Sequence, residues 1–159
     1  MADERLWAPW RLEYIRGPKH DECIFCRAIE SDDDEENYVV HRGESCFVIL
    51  NAYPYNNGHV MVAPYVHEPT IEPLDDQTTL EMMQLVKRSI TALREVYKPE
   101  GFNIGINQGN AAGAGIEEHV HEHVVPRWSG DTNFMPVIGN VRVLPQALSD
   151  SWKELRSIF

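Results

Sequence analysis

The run His119-Val120-His121-Glu122-His123-Val124-Val125 constrains this chain more than any other segment. Three histidines recur at every second position, with β-branched valines between and after them, which is the pattern of a strand rather than a helix. Alternate side chains of a strand point to one face. The pattern therefore predicts a row of three imidazoles, His119, His121 and His123, with Val120, Glu122 and Val124 on the opposite face. Only seven histidines occur in the 159 residues, so three in strict alternation are not a compositional accident. Such a row suits metal binding, or nucleophilic and acid–base chemistry near neutral pH.

Four further segments read as strands: Tyr38–His41 and Cys46–Leu50, joined as a hairpin through Arg42-Gly43-Glu44-Ser45, then Gly58–Pro64 and Phe102–Asn107. Asp75 or Asp76 caps a long helix running to about Lys98, with Val86, Ile90, Leu93 and Tyr97 at helical spacing and Pro99 ending it. Met82-Met83 reads as core filler, as does Cys46. A short helix is expected between Gln146 and Ile158. An antiparallel sheet of five strands with one long helix against it is an α+β layout.

The length predicts a single domain over residues 1–159. An aromatic arm (1–22) carries Trp7, Pro9, Trp10 and Tyr14, and an extension (129–159) follows the His strand. The net charge of −11 argues against binding long nucleic acid, which needs a basic footprint. A small phosphate ligand stays compatible with it. No apolar run approaches a membrane span. The first residues have no signal-peptide pattern. Three cysteines, two of them in Cys23-Ile24-Phe25-Cys26, do not resemble a secreted disulfide framework, so a cytoplasmic location is expected. Asp32 to Glu36 reads as a solvated acidic loop. His20 and His41 read as surface residues.

The loop Gly109-Asn110-Ala111-Ala112-Gly113-Ala114-Gly115 lies just before the histidines. Small residues let backbone N–H groups approach an anion closely, so a phosphate held there would lie beside the imidazoles. A neutral His could then attack a nucleotide's α-phosphorus while a neighbour binds the phosphate oxygens. The competing reading is a three-histidine metal centre, with a distant His59 or His67 as the third ligand. Cys23 and Cys26 read as a redox dithiol, as half of a zinc site lacking two ligands, or as plain buried thiols.

The His119–Val125 run resembles the histidine-triad (HIT) motif, His-φ-His-φ-His-φ-φ with φ apolar. Gly58-His59-Val60-Met61-Val62-Ala63-Pro64-Tyr65-Val66-His67 resembles the family's Gly-His-φ-φ-φ-x-Pro-x-x-His segment, and Asn107-Gln108-Gly109 its Asn-x-Gly loop. The arm Trp7-Ala8-Pro9-Trp10-Arg11, the stretch from Leu50 to Asn56 and that from Val124 to Phe134 are similar to the branch of bacterial diadenosine tetraphosphate phosphorylases. The resemblance implies that His121 is the nucleophile, that His123 and His119 complete the catalytic set, and that Asn51, His59, Asn107, Gly109, Gly113 and Gly115 bind nucleotide. It implies a structural zinc on Cys23, Cys26, His67 and His119, no organic cofactor, and a homodimer. The implied reaction is nucleotidyl transfer through a covalent nucleotidyl-histidine, with phosphorolysis of diadenosine tetraphosphate to ADP and ATP foremost. Hydrolysis of dinucleoside polyphosphates or nucleoside phosphoramidates is the alternative, and a non-catalytic nucleotide-binding protein the third.

Two departures stand out. Glu122 occupies an apolar position, and burying it unpaired is costly, so an exposed or subunit-edge location, or a basic partner, is expected. The segment Ala114-Gly115-Ile116-Glu117-Glu118 lacks the Gln and the Ser or Thr that many members carry before the first His, which removes expected side-chain help to the leaving group.

Overall fold

Five short strands rich in β-branched residues build the computed structural model, which describes residues 22–131 and 146–159. They are β1 (Val39–Arg42), β2 (Cys46–Leu50), β3 (Val60–Pro64), β4 (Gly101–Ile106) and β5 (Glu122–Arg127). All pair antiparallel, in the order β1-β2-β3-β5-β4. Among the described residues three α-helices accompany them: α1 (Ile24–Glu30), α2 (Asp76–Tyr97) and α3 (Leu148–Ile158). The α+β architecture is the expected one. The aromatic arm, His20 and the segment 132–145 lie outside the described residues.

Helix α2 has the ends its sequence encodes. The Asp75 carboxylate accepts from Thr78 N at 2.8 Å, and Lys98 takes a left-handed conformation (φ 48°) just before Pro99. Val86 and Leu93 are buried and Ile90 and Tyr97 half-buried against the sheet, with Met82 and Leu85 beside them. Only one of the methionine pair is core filler: Met82 is 4% exposed and Met83 50%. Helical spacing turns the second away.

Strands β1, β2 and β3 bury apolar side chains on both faces because both faces are covered there. Val40, Cys46, Val48, Leu50, Val60, Val62 and Val124 pack with α2 and with Leu155 of α3. On the other face Val39, Phe47, Ile49, Met61 and Ala63 pack against α1 through Cys23, Phe25 and Ala28.

The sequence gives no expectation of α1. At seven residues it is too short for a periodicity, and no side chain caps its start. Tertiary contacts hold it instead. Phe25 is fully buried, worth roughly 1.5–3 kcal/mol for such a side chain. Arg42 donates to the carbonyls of Ala28, Ile29 and Ser31 at the helix's far end and pairs with Asp34 at 2.8 Å. Asp34 also pairs with Arg156, so the acidic run is not simply solvated. His41 is half-buried, its ring tilted against Phe159 at 5.4 Å and bonded to Arg88, rather than a plain surface residue.

The His strand is shorter than expected. The ladder begins at Glu122, so His119, Val120 and His121 precede it. Val120 N donates to Glu68 O at 2.7 Å, a bond that leaves the sheet. Glu122 also departs from expectation. It is 8% exposed, paired in register with Val62 of β3 and Ile106 of β4, and has no charged partner among the described residues. The edge strand β4 covers β5, which places Glu122 inside. Burial pushes its carboxyl above the usual range.

Candidate active site and metal cluster

Helix α1 and the segment His119–His123 meet on one face of the sheet. The Phe25 ring lies 5.0 Å from the His119 ring and 4.9 Å from that of His121, wedged between the two. The imidazole row forms, but its members meet different surroundings.

His119 is fully buried. Its Nε2 lies 2.8 Å from the carbonyl of Pro64. A carbonyl only accepts, so Nε2 carries the proton and Nδ1 holds the lone pair. That Nδ1 lies 3.4 Å from Cys23 Sγ and 3.8 Å from Cys26 Sγ, and Cys26 Sγ lies 3.1 Å from His67 Nδ1. The four donor atoms all fall within 4.8 Å of one another. Ligands bound tetrahedrally at about 2.0–2.3 Å stand roughly 3.3–3.8 Å apart, so this cluster could hold a metal ion. Burial, reinforced by the Cys23 thiol, pushes the Cys26 thiol up to about 11. Thiolates there need a cation, which a metal supplies. The Pro64 carbonyl behind His119 is the kind of outer partner that fixes a ligand's tautomer.

His121, two residues on, lies 3% exposed. Its Nδ1 lies 2.8 Å from the carbonyl of His119, so Nδ1 carries the proton and Nε2 the lone pair. Burial lowers its pKa, favouring the neutral imidazole. His123 is tied to His59. Tyr55 N donates to His59 Nδ1 at 3.1 Å, which puts the His59 proton on Nε2. That nitrogen donates to His123 Nδ1 at 2.9 Å, leaving the proton of neutral His123 on its own Nε2. The rings of His121 and His123 lie 4.8 Å apart.

His121 and His123 line a cavity of about 280 Å³. Ile24 and Ala28 of α1, together with Ile49, Leu50 and Met61, give it apolar walls. Asn51, Asn37 and Arg27 are among its polar lining residues, and Arg27 is the one arginine or lysine there among the described residues. The Asn51 carboxamide is held by Tyr53 N at 2.8 Å and by Met61 Sδ.

The expected site residues thus divide. His121, His123, Asn51 and Gly115 line the cavity. His59 sits behind it, fully buried against His123. His119, Cys23, Cys26 and His67 form the adjoining cluster. Asn107, Gly109 and Gly113 are not on the described lining, although Gly109 and Gly113 have the positive φ of 84° and 79° that favours glycine. Sequence reasoning did not reach Ile24, Arg27, Ala28, Asn37, Tyr38 or Met61. Ile24 and Ala28 stand four apart, a helical spacing too brief to read, and Asn37 carries no local signal.

The HIT domain family model matches residues 33–130. A Mycobacterium tuberculosis protein named AP-4-A phosphorylase is 41% identical over 156 residues, covering 93% of this chain and 80% of its own length. A zinc-bound histidine triad family protein from Mycobacterium smegmatis superposes with a TM-score of 0.70 at 30% identity, covering 86% of this chain and 92% of that one. A hypothetical histidine triad nucleotide-binding protein from Sulfolobus tokodaii gives 0.68 at 28% identity, with 86% and 91% coverage. The triad sequence, the sheet that carries it and these matches agree: the chain belongs to the HIT family.

Proposed function

We propose that this protein is a nucleotidyl-transfer enzyme that splits diadenosine tetraphosphate with inorganic phosphate into ADP and ATP. The observation that carries the reading is the bond from His121 Nδ1 to the His119 carbonyl, which makes Nε2 the lone-pair nitrogen of a cavity-lining side chain. In the first step Nε2 bonds the α-phosphorus, the bridging P–O bond breaks, and ATP leaves with the electron pair. The imidazole becomes cationic, and its Nδ1–H, held by the carbonyl, is stabilised where the charge develops. His123 donates from Nε2 to a phosphate oxygen. In the second step a phosphate oxygen bonds the phosphorus, the N–P bond breaks, and ADP forms. Asn51 holds the ribose and Arg27 offsets polyphosphate charge, which an acidic chain needs at this wall.

Purified protein should release ADP and ATP from the dinucleotide only when phosphate is added. AMP release without phosphate would instead mark a hydrolase, and no turnover a nucleotide-binding protein.

Zinc is the metal we assign to Cys23, Cys26, His67 and His119. Two thiolates and two imidazoles suit it, and four protein ligands close the site, so the ion supports structure and leaves the phosphate chemistry to the histidines. The chain works as a homodimer in the cytoplasm on this reading. Strand β4 is an edge of the sheet formed by the described residues, and its Ile104 is 44% exposed on the face that α2 covers elsewhere; Leu80 and Met83 on α2 are exposed as well. Sedimentation should give a species of twice 18.3 kDa, and one at 18.3 kDa would refute the dimer.

A further inference from the structure

The direction of the cavity follows from α1. Its first turn holds Phe25 against His119 and His121. Its last carbonyls are gathered by Arg42, and the next residues, Ser31 and Asp33, hold Asn37. The cavity therefore runs from the imidazoles to Asn37, past the apolar side chains of Ile24, Ala28, Ile49 and Met61. Phosphorus must sit at the imidazole end, so a base bound between those walls presents its far edge to Asn37.

The Asn37 amide is fixed there. Its Nδ2 donates to Ser31 Oγ at 3.0 Å and to Asp33 O at 2.8 Å. A carbonyl can only accept, so turning the amide over would set two acceptors against each other. Both N–H donors are consumed, and the polar group that remains for the cavity is the side-chain carbonyl oxygen. The neighbouring cavity residue Glu36 adds a carboxylate, also an acceptor. The next residue, Tyr38, lines the cavity in a left-handed conformation (φ 58°), which is costly for a bulky side chain. Its N donates to Glu35 O and its O accepts from Leu50 N, which holds the turn in place.

We infer that Asn37 is the specificity-determining residue for the base: its carbonyl accepts from the exocyclic amino group at the 6-position of a purine and rejects a 6-oxo purine. The inference rests on the nucleotide reading of the cavity given above. A 6-oxo base would bring its own acceptor against the Asn37 carbonyl and the Glu36 carboxylate, and leaving such groups unpaired is what makes polar recognition selective.

Calorimetry on the full chain with AMP and IMP, which differ at that edge, tests it. The wild type should bind AMP about 10–100-fold more tightly than IMP. Asn37→Leu should bring the two within about twofold of each other, mainly by weakening AMP. Ser31→Ala removes one of the two amide clamps without touching the cavity and should reduce the preference in part. Purine riboside monophosphate, which lacks the amino group and adds no acceptor, should fall between AMP and IMP on the wild type. That arm, like the AMP and IMP comparison, stands even if a variant fails to fold. Equal binding of AMP and IMP by the wild type, or an unchanged preference in folded Asn37→Leu, overturns the base assignment alone. Binding of neither nucleotide overturns the nucleotide reading of the cavity, and this inference with it.

Discussion

His119 and His121 are the same residue type, two positions apart, buried to nearly the same degree and touching the same phenylalanine. Yet their ring nitrogens are assigned in opposite senses. The Pro64 carbonyl accepts from the Nε2–H of His119 and leaves Nδ1 to the cysteines. The His119 carbonyl accepts from the Nδ1–H of His121 and leaves Nε2 to the cavity. The alternating pattern sets the row, but each carbonyl partner decides which nitrogen is available and hence what that ring can do. The two halves are also coupled, since the main chain of the cluster histidine is the acceptor for the cavity histidine.

The largest expected effect breaks the comparison cleanly. His121→Asn should lower turnover by at least about 10³-fold, because the covalent step is lost, while nucleotide binding and metal content stay normal. His119→Asn should do the reverse first: metal content falls and the protein melts earlier, with activity lost as a consequence. Near-normal turnover in His121→Asn would remove its assignment as nucleophile.

Removing the metal is next in size. Purified protein should carry about one zinc per chain. Cys23→Ser, or prolonged chelation, should cost about 3 kcal/mol or more of stability, because α1 loses its tie to His119 and His67. Thermal melts with metal analysis on the same sample check this. A metal-free protein with an unchanged melt would show the cluster to be four idle side chains.

The unequal legibility of these two halves has a physical cause. The His-x-His-x-His alternation is local, so the sequence exposes it, and α2 announces both its ends through Asp75 and Pro99. Its stripe of Val86, Ile90, Leu93 and Tyr97 does the same for the core face. The cluster of Cys23, Cys26, His67 and His119, which could hold a metal ion, draws on distant parts of the chain, and only the family resemblance points to it. Helix α1 has no capping side chain and too few residues for a period, so its cavity wall was invisible. Glu122 misled because one residue's polarity cannot reveal that β4 lies beside it as the covering edge strand.

A smaller effect sharpens the cavity half. His59 sets the tautomer of His123 through the Nε2–Nδ1 bond, and Tyr55 N sets His59 in turn. His59→Phe keeps a ring in the buried site but removes that bond. Turnover should drop about 10–100-fold, with zinc content unchanged. A loss of metal in this variant would mean that the two halves share more than the His119 carbonyl.

The smallest expected effect concerns the face of the sheet opposite the cavity. Glu122 sits between His121 and His123 in sequence but shares its cross-strand positions with Val62 and Ile106, and Val62 belongs to the core under α2. Burial raises its carboxyl pKa above that of the unfolded chain. Between the two pKa values the unfolded state releases the proton and the folded state keeps it, so stability falls as pH rises through that window, which opens at roughly pH 4.3. Below it, both states are protonated and the penalty vanishes. Glu122→Gln removes the titration while keeping shape, at the cost of burying an amide. It should therefore stabilise the protein slightly at pH 7 and leave its stability unchanged near pH 4. Turnover should be unchanged, because the side chain lies across the sheet from the imidazoles. Denaturant melts at the two pH values, with an activity assay at neutral pH, check all three statements. A large loss of activity would mean that the apolar face of β5 positions the histidines more tightly than the hydrogen bonds on their own face do.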